Sequence, residues 1–200
     1  MLSLNNITIE TWNKKLISDL SFNMAPGSIT YVTGPNGSGK TSLLKIIANL
    51  KKPASGYVSI YDHKLEELEK PYCLLIGHEF GIDPDMKIRD QIRFWASSYN
   101  SEAMIPPAIE YWGIANLLDH DISALSKGMA KKIALSKLTL CHSEIWLLDE
   151  AETNLDEQNL RLLHNLIKTK ANAGGIIVMT THLERKIDSS QTLDLKLFTP

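Results

Sequence analysis

The run Gly34-Pro35-Asn36-Gly37-Ser38-Gly39-Lys40-Thr41, followed by Ser42, limits what this chain can fold into more than any other stretch. It fits GxxxxGK[ST], and its flanks supply the setting that the pattern needs. Ser28-Ile-Thr-Tyr-Val-Thr33 before it is rich in β-branched residues, and Thr41 to Leu50 after it carries apolar residues at helical spacing. A strand, a glycine turn and a helix in that order point successive backbone N–H groups at one anion, next to the positive end of the helix. Lys40 then reaches the β- and γ-phosphates of a nucleotide, and the Thr41 hydroxyl offers an oxygen to Mg²⁺. An ordinary glycine turn requires neither Lys40 nor Thr41.

The rest of the chain reads as an α/β protein built around that loop. Tyr72 to Ile76, Glu144 to Leu148 and Gly175 to Met179 are short apolar runs bounded by polar residues, as expected of strands buried on both faces of a parallel sheet. Leu2 to Ile9 alternates loosely, and Leu20 to Met24 runs into the turn Ala25-Pro26-Gly27, so the opening reads as an antiparallel β part. Lys87 to Tyr99, Pro107 to Asn116 and Ser126 to Leu140 carry helical spacing, with breaks expected at Pro106-Pro107 and at Asp119 to Ser123. The expectation is one domain over 1–200, with 1–78 and 142–200 forming a mostly parallel core and 79–141 a helical subdomain inserted into it. Thr192 to Phe198 alternates and predicts an exposed edge strand.

Composition closes off other classes. With 200 residues, 44% hydrophobic and 22% charged, the chain is neither disordered nor collagen-like nor a disulfide scaffold. The 21 basic and 23 acidic side chains leave a net charge of −2, so no global basic field draws in nucleic acid or anionic lipid. No apolar run approaches the roughly 20 residues of a membrane span, and the start has neither the basic region nor the apolar run of a signal peptide, so a cytoplasmic location is expected. Cys73 and Cys141 stand alone, which suits a reducing compartment, and read as two small buried residues. His63, His120, His142 and His164 show no spacing that would hold haem or a metal.

Two further runs add chemistry to the loop. Ile145-Trp-Leu-Leu-Asp149-Glu150 is an apolar strand that delivers adjacent acids at its C-terminal end, where open parallel sheets bind ligands. Neighbouring acids on an extended chain point in different directions, so Asp149 can join a Mg²⁺ shell while Glu150 polarises an attacking water. Ile176 to His182 is a second buried strand, ending in a histidine placed to donate a hydrogen bond to a γ-phosphate.

With these residues in view, Leu125-Ser126-Lys127-Gly128-Met129, 23 residues before Asp149, resembles the LSGGQ signature of ABC-type ATPases. Thr153-Asn154-Leu155-Asp156 resembles their D-loop and Thr181-His182 their switch histidine. The resemblance covers nearly the whole chain in family order. It implies a P-loop ABC cassette that hydrolyses ATP with Mg²⁺ as the ATP-binding subunit of an exporter. It also implies a head-to-tail dimer in which Ser126 and Gly128 meet the nucleotide of the second copy, and attachment to integral membrane subunits at the cytoplasmic face of the cell membrane. The short length and Leu75-Ile-Gly-His78 followed by Gly81-Ile82 are similar to the ATP-binding subunits of the haem exporter of cytochrome c maturation, whose membrane partners are CcmB- and CcmC-like and carry the haem contacts. Another small ABC exporter, or a soluble ABC ATPase outside transport, is the alternative.

Several positions depart from the family pattern or stay open. Glu79 stands where the family places its Q-loop glutamine; it is either a Mg²⁺ ligand that repels the γ-phosphate or a solvated loop acid. Lys127 and Met129 replace a glycine and the glutamine of the signature, and Ser126 taken alone suits a helix N-cap. Trp12 is the aromatic placed to stack on adenine, or an exposed edge residue.

Overall fold

The computed structural model describes residues 1–12, 14–68, 71–77, 81–181 and 187–200. The chain divides into two units, one comprising Met1–Gly77, Ser143–Glu150 and Ile167–Pro200, the other His78–His142 and Ala151–Leu166.

In the first unit, β1 (Leu2–Thr11) and β2 (Lys14–Met24) pair antiparallel, with their apolar residues turned into one core. Two short strands that the sequence reading did not foresee, β4 (Ser55–Ile60) and β5 (His63–Lys64), extend this sheet in the order β2-β1-β4-β5. The pairing of β1 with β4 shifts register between Asn5 and Thr8. The bulge needs glycine opposite it: Gly56 has φ +82°, and a Cβ there would lie 2.3 Å from the carbonyl oxygens of both Asn5 and Asn6.

The second sheet of this unit is wholly parallel. Its strands are β3 (Ile29–Thr33), β6 (Cys73–Ile76), β7 (Ile145–Asp149), β8 (Ile176–Thr180) and β9 (Gln191–Asp194), in the order β6-β7-β8-β3-β9. Every residue of β7 and β8 is buried, which is why both read as unbroken apolar runs. Helix α1 (Lys40–Ile47) adds Leu43, Leu44, Ile46 and Ile47 to the core that Leu2, Leu4, Leu147 and Val178 share.

The expected strand over Thr192 to Phe198 is corrected. Strand β9 ends at Asp194, whose carboxylate accepts the N–H of Lys196 at 3.0 Å, and Leu195–Phe198 curls into a 3-10 turn. Nor is the run simply exposed, since Leu193 and Leu195 are buried in the core.

The second unit is helical, with α2 (Ile88–Ser98), α3 (Ile105–Trp112), α4 (Lys127–Leu135), α5 (Lys137–Leu140) and the first turns of α6 (Glu157–Asn172). The break expected at Pro106-Pro107 is corrected as well. Both prolines lie in the first turn of α3, where a missing N–H leaves no helical bond unmade, and the helix runs on to a left-handed cap at Gly113. The segment read as one helix from Ser126 to Leu140 is divided at Ser136, whose hydroxyl donates to the Ile133 carbonyl at 2.6 Å. Among the described residues no helix is long and apolar enough to cross a membrane. Cys141 is buried as expected, whereas Cys73 is only partly so.

Candidate functional site

Strand β3 feeds directly into the glycine loop, and the loop takes its shape from residues without a Cβ. Gly34, Gly37 and Gly39 have φ values of +150°, +77° and +100°, and a Cβ on Gly34 would lie 2.6 Å from Ser38 Oγ. Lys40 opens α1 with 8% of its surface exposed, and its Nζ donates to the carbonyls of Gly34 at 2.8 Å and Pro35 at 3.1 Å. The ammonium is therefore folded back over the loop. Ser38 Oγ is buried with no hydrogen-bond partner among the described residues. Backbone donors, one cation and one unsatisfied hydroxyl around a tight turn fit a polyphosphate. Ser42 faces differently, its hydroxyl accepting from Lys51 Nζ at 3.2 Å.

The C-terminal end of β7 brings the acids to this loop. Asp149 is 4% exposed, and its Oδ2 accepts a hydrogen bond from Thr41 Oγ1 at 2.7 Å. A hydroxyl and a carboxylate so close are a pair of hard oxygen donors of the kind that share Mg²⁺ with nucleotide phosphates. No group of three or more His, Cys, Asp and Glu side chains that could cage a metal occurs among the described residues. Just past Asp149, Glu150 turns into the left-handed region at φ +52° and is half-buried, so the two acids leave the strand in different directions.

Trp12 stands at the turn between β1 and β2 and is fully exposed. Glu79 and His182 lie outside the described residues.

The second unit holds the signature segment. Ser126 is the N-cap of α4, its Oγ accepting the N–H of Met129 at 3.3 Å. Gly128 lies under the D-loop segment: a Cβ there would be 3.0 Å from the Asn154 carbonyl oxygen. Lys131, three residues along the same helix face and 3% exposed, donates through Nζ to Thr153 O at 2.9 Å and Thr153 Oγ1 at 2.6 Å. Next to Thr153, the nearly inaccessible Glu152 carboxylate pairs with His164 Nε2 at 2.6 Å. Asp156 then caps α6 by accepting the N–H of Asn159 at 2.7 Å.

Lys131, Glu152 and His164 were not foreseen as a group. His164 carries no local signal, and only the charged character of Lys131 inside an otherwise half-apolar helix hinted that it needed a partner.

The family profile described as ABC transporter matches residues 17–153 of this chain. The cytochrome c biogenesis ATP-binding export protein CcmA of Rickettsia typhi is 43% identical over 196 residues, covering 98% of this chain and 99% of that protein. The protein of the same description from Rickettsia bellii is 41% identical over 195 residues, 98% of this chain and 100% of its own. Among solved structures, a putative ABC transporter ATP-binding protein from Pyrococcus furiosus superimposes with a TM-score of 0.84 at 21% identity, covering 100% of this chain and 99% of that one, a likeness of fold. A phosphate loop joined to a strand-end acid, a family profile across most of the chain and full-length relatives of one description agree: the chain belongs to the ABC transporter family, among its cytochrome c biogenesis ATP-binding export proteins.

Proposed function

We propose that this chain is the ATP-hydrolysing subunit of an ABC exporter complex in cytochrome c maturation, driving haem export or the release of a haem-loaded chaperone. The observation that carries the catalytic part is the hydrogen bond from Thr41 to Asp149, which joins the phosphate loop to the acid strand. The relatives' description as cytochrome c biogenesis export proteins supports the transport part.

In this reading residues Gly34 to Ser42 bind the triphosphate. The loop N–H groups and Ser38 receive phosphate oxygens, and Lys40 opposes the β/γ charge. Thr41, Asp149 and Glu79 are the residues that would hold Mg²⁺, which would supply charge neutralisation. Glu150 takes the proton of the attacking water, and His182 donates to the γ-phosphate. Trp12 stacks on adenine. Ser126 and Gly128 act on the nucleotide of a second, head-to-tail copy. The cassette is one domain with a helical part over 79–141, lies peripherally at the cytoplasmic face, and works with CcmB- and CcmC-like membrane subunits that hold the haem. Nucleic acid has no part in it.

The test is Glu150→Gln, which keeps the shape and removes the base. It should retain ATP, lower turnover by about 10²-fold or more, and shift the chain to a dimer on gel filtration with ATP. A normal rate removes Glu150 from the role. Co-purification with membrane subunits tests the exporter assignment, and their identification tests the haem pathway.

A further inference from the structure

We infer that Thr180 is a positioning residue for hydrolysis, setting the geometry of both acids at once; this rests on the proposed roles of Asp149 and Glu150. Thr180 is the last residue of β8, lies opposite Asp149 in the parallel ladder, and is fully buried. A buried hydroxyl in an otherwise apolar strand is costly unless it is bonded, and here both of its capacities are used. Its proton goes to Asp149 Oδ1 at 2.6 Å, and its oxygen accepts the N–H of Glu150 at 2.9 Å.

The consequences for the two acids differ. Asp149 is gripped at both oxygens, Oδ1 by Thr180 and Oδ2 by Thr41, so its carboxylate plane cannot rotate freely. Glu150 is gripped at its backbone, at the residue where the chain enters the left-handed region with φ +52°. That conformation is unfavourable for a residue with a Cβ, and it decides where the Glu150 side chain is aimed. The bond from the Glu150 N–H to Thr180 holds the turn in place. Thr180 would touch neither water nor nucleotide and acts through its two neighbours.

A merely structural threonine would be replaced by valine at the cost of some stability and nothing else. The experiment therefore compares Thr180→Val, Thr180→Ser and Thr180→Ala in the full chain, at protein concentrations where the ATPase rate is saturated. Thr180→Val should lower kcat by about 10²-fold, the scale expected for a misplaced catalytic group, while KM for ATP changes less than about threefold. Thr180→Ser should keep most of the rate. In the nucleotide-free protein, amide exchange at Glu150 should rise about tenfold or more in Thr180→Val and stay near wild type in Thr180→Ser. Combined with Glu150→Gln, Thr180→Val should add less than about twofold, because the group it aims is gone.

If Thr180→Val does not fold, the ratio of kcat between Thr180→Ser and Thr180→Ala reads the hydroxyl instead, and equal rates overturn the proposal. Wild-type kcat or unchanged Glu150 exchange in Thr180→Val overturns it too. If Glu150→Gln alone hydrolyses ATP normally, it is the assignment of the base that fails, a separate and recognisable result.

Discussion

Thr41 and Asp149, 108 residues apart in the sequence, share a hydrogen bond of 2.7 Å between Oγ1 and Oδ2. The hydroxyl donates and the carboxylate accepts, so the threonine proton is what holds the two oxygens together. In the proposed site these same two residues would be the ones to hold Mg²⁺. Thr41→Val should therefore weaken the Mg²⁺-dependent part of ATP binding by about tenfold and leave binding in EDTA nearly unchanged, since only one oxygen ligand is lost. Calorimetric titration of ATP with and without Mg²⁺ checks this, and equal losses under both conditions would remove Thr41 from the metal.

Lys40 Nζ lies over the phosphate loop, held by the Gly34 and Pro35 carbonyls. Charge-assisted hydrogen bonds are worth about 1.5–3 kcal/mol each, so Lys40→Ala should weaken ATP binding by roughly 10²-fold while the fold survives. Equilibrium binding of ATP with circular dichroism as a control measures both, and wild-type affinity would refute the phosphate-loop assignment.

The clamp from Lys131 to Thr153 fastens the signature helix to the D-loop segment inside one unit. Methionine keeps the length of the lysine and removes the ammonium. Lys131→Met should thus leave monomeric ATP binding unchanged, lower the saturated ATPase rate by about tenfold and cost about 1–3 kcal/mol of stability through the loss of the two charge-assisted bonds to Thr153. ATP binding, ATPase rate against protein concentration and urea unfolding separate the three effects. A parallel fall in ATP binding would show that Lys131 supports the fold generally rather than the D-loop.

What the sequence disclosed and what it hid follow from how local each signal is. The loop Gly34 to Thr41 declares itself because its residue types answer to a ligand and a turn within eight positions. Strands β7 and β8 were legible because burial on both faces leaves nothing polar until their ends. Strand β4 was not, since Ser55-Gly56-Tyr57 is exposed and its place depends on a bulge in a strand some fifty residues earlier. Thr180 looked like one more strand residue before His182, and its two bonds exist only because β7 and β8 pair in the register that sets it opposite Asp149. The prolines of α3 misled for a related reason: as punctuation they end a helix or begin one, and only the turn before them decides which.

Lys137 offers a prediction with a sign that can be worked out. It is 7% exposed, its Nζ lies 4.8 Å from the centre of the Trp95 ring, and Cys141 is the titratable group that acts on it. Burial pulls its pKa from 10.5 down to about 8, against the opposing influence of Cys141. Between those two values the unfolded chain binds more protons at this site than the folded chain does, so stability from this group rises with pH across that window. Below about pH 8 the penalty of burying the charge is present in full, and above about 10.5 it is gone. A shift of this size corresponds to about 3 kcal/mol. Lys137→Met fills the same space without a charge and lacks the cation–π contact, worth roughly 1–2 kcal/mol when desolvated. At pH 7 the variant should therefore be more stable than wild type by about 1–2 kcal/mol. That advantage should shrink towards zero as pH rises from 8 to 10.5, because the deprotonated amine carries neither the burial penalty nor the cation–π contact. Urea unfolding of both proteins at pH 7, 8, 9 and 10 gives the difference directly, with the shared titration of other groups cancelling. A difference that stays constant with pH would mean that Lys137 keeps its charge as readily in the folded chain as in the unfolded one.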